Sequence, residues 1–146
     1  MTERHHDAEL EERYMVFNDR LSERKTFSAY TKHRRDVRRV REIGGQTVLT
    51  PPQIRTVAFL LGFDDGSYNP ASDGPFGVSS STYRRHIQPL IPPEAQLDLS
   101  QFGVNTRGYD NVGYSLEGVE EALEQLGSKG KIQYTHARFL EAVQRP

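Results

Sequence analysis

The chain has 146 residues, no cysteine, 27% charged and 35% hydrophobic residues, and a formal net charge of −1. These values exclude disulfides and thiolate metal sites, and they are typical of one domain with a modest core. No apolar run approaches the roughly 18 residues that cross a bilayer, and the N-terminus lacks the apolar segment of a secretory signal. We therefore expect a cytoplasmic protein without a membrane segment.

The net charge conceals a strongly basic segment near the N-terminus. Residues 20–41 carry nine Lys or Arg and two acids, a charge of +7, whereas the rest of the chain carries −8. This asymmetry predicts that the basic segment and the acidic body contact different surfaces.

Residues 8–43 carry the periodicity of an amphipathic helix. Apolar residues recur first at Leu10, Tyr14, Phe17 and Leu21 and then at Val37, Val40 and Ile43. Gly44 and Gly45 are a strong stop signal, and a break near Ser22 or within residues 26–28 remains open. The sequence predicts a helical arm over residues 1–44. The candidate partner-binding residues on its basic face are Arg34, Arg35, Arg38, Arg39 and Arg41.

Two later segments repeat one another without a gap. Residues 49–62 align with residues 114–127, and each segment begins with a hydroxyl residue, Thr50 or Ser115, and ends on Leu-Gly. Apolar residues at matching offsets predict two amphipathic helices of about three turns, capped at both ends. A repeated short helix favours a fold of helical hairpins, and such folds are usually binding modules and not enzymes.

Two further helices are predicted over residues 79–90 and 135–144. Between them, residues 97–102 indicate a short strand-like bridge and a helical turn. Residues 63–78 and 103–113 are rich in turn formers and predict loops. The last helix is expected to bury Phe139, Leu140 and Val143.

The segment around Gly130 resembles an EF-hand. Gly130 and Ile132 match the glycine at loop position 6 and the apolar residue at position 8 that pairs in a β-bridge, and Phe139 matches the exiting helix. The Leu-Gly helix endings also resemble calmodulin. Residues 45–146 are similar to the calmodulin-like C-terminal region of WD-repeat proteins at the base of ciliary radial spokes. The chain has no WD repeats, and the arm has no counterpart there.

This resemblance implies an all-α fold with degenerate EF-hand-like helix-loop-helix pairs over residues 45–146, behind a long basic N-terminal helix over residues 1–44. It implies a non-enzymatic structural adaptor in the ciliary axoneme, at the radial-spoke base or the doublet microtubule. Such lobes grip a partner helix in an apolar groove. The candidates for core or groove are Phe59, Leu60, Phe63, Tyr83, Ile87, Leu123 and Phe139.

The loops lack the ligands that calcium requires. In the loop centred on Gly130, ligand positions 1, 5 and 12 are Gln125, Lys129 and His136, without the bidentate glutamate. Loops starting at Asp65 or Asn69 also lack that glutamate. The histidines form no zinc-binding pair. No metal or cofactor is therefore expected, and a calcium-regulated sensor is a disfavoured alternative.

The basic arm leaves two classes of partner open. Acidic tubulin surfaces agree with the ciliary interpretation, whereas nucleic acid or a ribonucleoprotein is the alternative, because arginines on one face can meet phosphates. Nucleic acid ranks lower because no base-stacking platform surrounds the arginines. Residues 79–82 indicate a helix cap, since they lack the lysine and base that a nucleophile or phosphate site needs. An enzyme would require perturbed titratable groups in a deep pocket.

Overall fold

The computed structural model describes residues 7–22, 41–63, 77–102 and 112–145. The first elements along the chain are the helices α1 (Ala8–Ser22) and α2 (Pro51–Leu60), with strands β1 (Arg41–Ile43) and β2 (Gln46–Leu49) between them. Helix α3 runs continuously through Ser80–Thr82, a π-helical turn at Tyr83–Ile87 and a 3₁₀ turn at Gln88–Leu90. The remaining elements are a 3₁₀ turn at Pro93–Ala95, β3 (Gln96–Asp98), a 3₁₀ turn at Leu99–Phe102, β4 (Val112–Ser115), α4 (Leu116–Ser128) and α5 (His136–Gln144).

The predicted all-α fold of EF-hand-like pairs is wrong, because these elements include a four-stranded antiparallel sheet in the order β1-β2-β4-β3. The fold prediction was wrong at Gly44 and Gly45, which were assigned to the end of a helix and have φ angles of 60° and 80°. Two consecutive residues with positive φ form the tight turn of a hairpin, so the glycines join β1 to β2 and do not simply end a helix. Residues 41–43, assigned to the arm helix, are therefore β1. The protein is a mixed α/β fold.

The repeated segments are confirmed as helices with the predicted N-caps, and each begins on a strand. The predicted Leu-Gly ending is confirmed only for the first copy, because α4 continues through Gly127 to Ser128. Thr50 is the N-cap of α2, where its backbone N–H donates to Gln53 Oε1 at 2.8 Å, and Ser115 is the N-cap of α4. Strands β2 and β4 pair antiparallel, with Leu49 opposite Tyr114. These two residues are also equivalent in the sequence repeat. The repeat is therefore a strand-to-helix unit whose two copies meet in the sheet.

The two faces of the sheet contact different apolar clusters. Successive residues of a strand point to opposite faces, so Leu49 lies in the main core and Val48 in a small second cluster with Ile43 and Leu99. The helices close the main core with buried side chains that include Leu10, Phe17, Ile54, Leu60, Leu123 and Phe139.

Helix α1 packs on this core and is also held by polar contacts. Arg138 pairs with Asp7 at 2.7 Å, and Arg145 pairs with Glu11 at 2.7 Å. Burial acts to lower the pKa of the Arg145 guanidinium, but hydrogen bonds to Glu11 and Glu141 outweigh it and raise that pKa. The ion pairs thus join the first turn of α1 to α5 at the edge of the core.

Candidate functional site

Helix α3 presents three adjacent basic side chains to solvent. Tyr83 and Ile87 are buried four residues apart, which places both on the inner face of the helix. Arg84, Arg85 and His86 lie between them and are exposed. We call these three residues the α3 ridge.

The widened turn of α3 accommodates a proline near its end. Pro89 has no N–H to donate, and in a regular α-helix its ring would clash with the carbonyl of Arg85. In the π-helical turn the N–H of Gln88 donates to the carbonyl of Tyr83, five residues earlier, and not to that of Arg84, four residues earlier, as it would in an α-helix. The helix therefore continues through the ridge and closes in the 3₁₀ turn that contains Pro89.

Ser79 fixes the start of α3. Its Oγ accepts a hydrogen bond from the N–H of Thr82 at 3.1 Å and donates to Thr82 Oγ1 at 2.9 Å, and both residues are buried. The preceding residues dock on α2, because the buried Arg55 side chain donates to the carbonyl of Val78 at 2.8 Å. Gly77 permits this approach, since it has φ 95° and an added Cβ would lie 2.6 Å from Phe59 Cβ.

Replacing Ser79 by alanine is expected to lower the free energy of unfolding by about 1–2 kcal/mol, because the cap of α3 and the buried hydrogen bond from Ser79 to the Thr82 hydroxyl are both lost. Urea denaturation followed by circular dichroism measures this change. Ser80→Ala is the matched control, since Ser80 is half-buried and does not cap the helix. Equal losses in the two variants would contradict the assigned cap.

The arginines of the ridge differ from Arg138 and Arg145 in having no carboxylate partner among the described residues. Within residues 7–22, 41–63, 77–102 and 112–145, neither Arg84 nor Arg85 forms an ion pair. Arg138 and Arg145, in contrast, are paired with carboxylates. The guanidinium groups of the ridge are therefore exposed and have no carboxylate partner in the part of the chain that the structure describes.

The apolar candidates from the sequence all lie in the core. Phe59, Leu60, Phe63, Tyr83, Ile87, Leu123 and Phe139 are each at most 5% exposed and belong to one cluster. Burial, with a contribution from Tyr114, raises the pKa of the Tyr83 phenol, so that it stays protonated at neutral pH. The guanidinium of Arg13 lies over the Phe59 ring, 4.3 Å from its centroid. None of these residues offers an exposed apolar face in this arrangement.

The basic candidates of the arm fall mostly outside the described residues. Arg34, Arg35, Arg38 and Arg39 lie in the segment 23–40, and only the backbone of Arg41 is described, in β1. The possible calcium loops that start at Asp65 and Asn69 also lie outside the described residues.

The loop between α4 and α5 differs from the EF-hand expectation. Ile132 is buried but lies in no strand, and the next residue, Gln133, donates its N–H to the carbonyl of Leu61 at 2.8 Å. Glu120 of α4 accepts hydrogen bonds from Tyr134 and His136, which fixes the start of α5. No group of three potential metal-ligating side chains occurs in the part of the chain that the structure describes.

The ridge was not among the predicted sites, although the sequence contains a signal for it. Tyr83 and Ile87 are apolar at helical spacing within the predicted helix, and this spacing alone places Arg84, Arg85 and His86 on the outer face. The basic surface was predicted on the arm instead, because residues 20–41 carry a larger positive charge.

No protein family, no curated protein and no solved structure matches the chain. Among the described residues, no helix is both long enough and apolar enough to cross a membrane.

Proposed function

We propose that the protein binds nucleic acid, with α3 as the contacting element. The observation that carries this proposal is the α3 ridge, in which two arginines without a described carboxylate partner stand beside an exposed histidine on one capped helix. Phosphates are held strongly by guanidinium groups, which donate in a planar, bidentate geometry.

The shape of the element also favours duplex nucleic acid. An α-helix with its side chains is about 10–12 Å across, and the major groove of B-DNA is about 12 Å wide. Ser80 and Ser81 precede the ridge and are half-buried, so the first turn of α3 offers two hydroxyl groups beside it. Such side chains can contact phosphates and base edges.

The charge of residues 20–41 supports the same partner class. This segment has a formal charge of +7, whereas the remaining residues of the chain have a formal charge of −8. A localised excess of Lys and Arg is the electrostatic footprint of nucleic-acid binding. The proposal does not depend on the conformation of this segment.

The test is fluorescence anisotropy with a labelled duplex over a range of salt concentrations. The wild-type protein should bind, and Arg84→Ala combined with Arg85→Ala should weaken binding. The double substitution should also reduce the slope of log K against log salt by about 1.8, since each phosphate that the protein no longer neutralises lowers the slope by about 0.9. Lys129→Ala with Lys131→Ala is the matched control, because it removes the same charge from exposed positions in the α4–α5 loop.

Three results would overturn the proposal. The first is the absence of duplex binding at low salt, and the second is an equal effect of both double substitutions. The third is displacement by poly-glutamate at the same charge concentration as by unlabelled duplex, which would indicate an acidic protein surface as the partner.

The adaptor function in the ciliary axoneme, with tubulin as a partner, stays a prediction from the sequence. It shares with our proposal a polyanionic partner for the basic segment. The poly-glutamate competition described above therefore separates the two functions.

A further inference from the structure

Helix α5 provides an internal comparison for α3, because each of them follows one of the two strand-to-helix repeats. Both helices are N-capped by a hydroxyl residue, with a buried aromatic residue four positions after the cap and a buried aliphatic residue eight positions after it. These residues are Ser79, Tyr83 and Ile87 in α3 and Thr135, Phe139 and Val143 in α5. The two helices can therefore be compared position by position.

The comparison shows that such a helix packs without basic residues at the ridge positions. Counted from the two caps, Arg84, Arg85 and His86 correspond to Leu140, Glu141 and Ala142. In α5 this stretch is covered, since Ala142 is buried and Leu140 is half-buried, whereas in α3 all three residues are exposed. The ridge thus differs from its counterpart in both charge and exposure, so packing of the helix does not explain its arginines.

Arg85 lies at the crest of the ridge, and the other two members of the ridge lie on its flanks. Tyr83 and Ile87 both face the core, and Arg85 is midway between them, so its side chain leaves the helix on the opposite side. On one flank, the ring of His86 contacts that of Phe63 with centroids 6.2 Å apart. This contact turns the His86 flank toward the end of α2 and leaves the crest pointing to solvent.

The crest and the flanks of such a helix meet different parts of a DNA duplex. When an α-helix enters the major groove, its outermost side chains face the base edges and its flanks face the two phosphate backbones. Contacts to phosphates position the protein, whereas contacts to base edges specify the sequence. The guanidinium group of an arginine donates two hydrogen bonds to O6 and N7 of guanine, the commonest specific contact in this groove.

We propose that Arg85 recognises a guanine base in the major groove of duplex DNA, while Arg84 holds a phosphate of the backbone. This inference rests on the proposed function and adds the recognised base and the residue that recognises it. Duplex RNA does not fit, because its major groove is deep and too narrow for side chains to read. On sequences without a guanine in reach, Arg85 turns to a phosphate, so both arginines contribute to the salt dependence of binding.

The first test is selection of bound duplexes from a library of random DNA sequence. The wild-type protein should enrich guanine at one position. Arg85→Gln should replace this guanine with adenine, because a glutamine amide donates to N7 and accepts from N6 of adenine. Arg84→Gln is the matched control, since it removes the same charge from the neighbouring exposed position and should retain the guanine.

The second test measures affinity for the selected duplex. Replacing the selected G·C pair by A·T should weaken binding of the wild-type protein and of Arg84→Ala by about 5- to 150-fold, the discrimination that one bidentate contact provides. Arg85→Ala should bind both duplexes equally. Replacing the guanine by its 7-deaza analogue, which lacks the N7 acceptor but keeps the base pair and the phosphates, should weaken binding of the wild-type protein and not of Arg85→Ala.

Three results would contradict the role of Arg85 in the groove. They are selection of no base or of a base other than guanine, loss of the guanine in Arg84→Gln as well as in Arg85→Gln, and equal affinity of the wild-type protein for duplex RNA of the selected sequence. All three leave duplex binding intact. The proposed function fails separately, if no duplex binds or if Arg84 and Arg85 do not contribute to binding.

Discussion

Replacing Phe17 by alanine is expected to lower the free energy of unfolding by about 3–5 kcal/mol. Phe17 lies on α1, is 1% exposed and belongs to the main core with residues of α2 and α5. Removing the ring takes away its buried apolar surface and leaves a cavity that the neighbouring side chains fill only in part. Because small domains are stable by about 5–15 kcal/mol, the loss would be a large share of the total.

Urea denaturation of the full chain measures this loss, and Met15→Ala is the matched control. Met15 lies two residues earlier on the same helix but is 60% exposed, so its truncation should change the stability by less than about 0.5 kcal/mol. A small and equal effect of both substitutions would show that α1 does not unfold together with the rest of the domain.

The helices of this fold could be predicted from local signals. Thr50, Ser79, Ser115 and Thr135 were each expected at or next to a helix start, and each is an N-cap in the structure. A cap is a local interaction between a side chain and backbone groups within three residues, so the sequence around it contains nearly all the information.

The sheet could not be predicted in the same way because its strands have only three or four residues. Ile43 of β1 continued the apolar spacing of Val37 and Val40 and was assigned to a helix, although a strand of three residues shows too little alternation to compete with that pattern. The strand partners are also distant in sequence, since Leu49 pairs with Tyr114. The best local signal was the Gly-Gly pair, which also fits a two-residue hairpin turn.

The candidate site also depends on contacts between elements that are distant in sequence. Sequence spacing is sufficient to put Arg84 and Arg85 on the outer face of α3, but whether a carboxylate of another element pairs with them depends on tertiary packing. Phe102 and Phe139 are alike in sequence terms, yet one is half-exposed and the other fully buried. Exposure of a single aromatic residue depends on which elements cover it, so no local pattern could have identified Phe102 as the exposed one.

The equivalence of the two repeats ends at their first helical turns. Thr50 is followed by two prolines in α2, whereas Ser115 is followed in α4 by a turn that contains Gly118. Gly118 is buried, and a Cβ built on it would lie 2.2 Å from Ala95 Cβ. The 3₁₀ turn at Pro93–Ala95 therefore packs directly on the backbone of α4, which sets the path of the chain from α3 to β3.

Replacing Gly118 by alanine should destabilise the protein by about 2–3 kcal/mol, because the added methyl overpacks this contact. The helical preference of alanine opposes this loss by only about 1 kcal/mol. Adding Ala95→Gly to Gly118→Ala removes the opposing methyl and should recover stability, with a coupling of about 1–2 kcal/mol in a double-mutant cycle measured by urea denaturation. If Gly118→Ala stabilised the protein, or if the two substitutions were additive, the close approach of residues 93–95 to α4 would be contradicted.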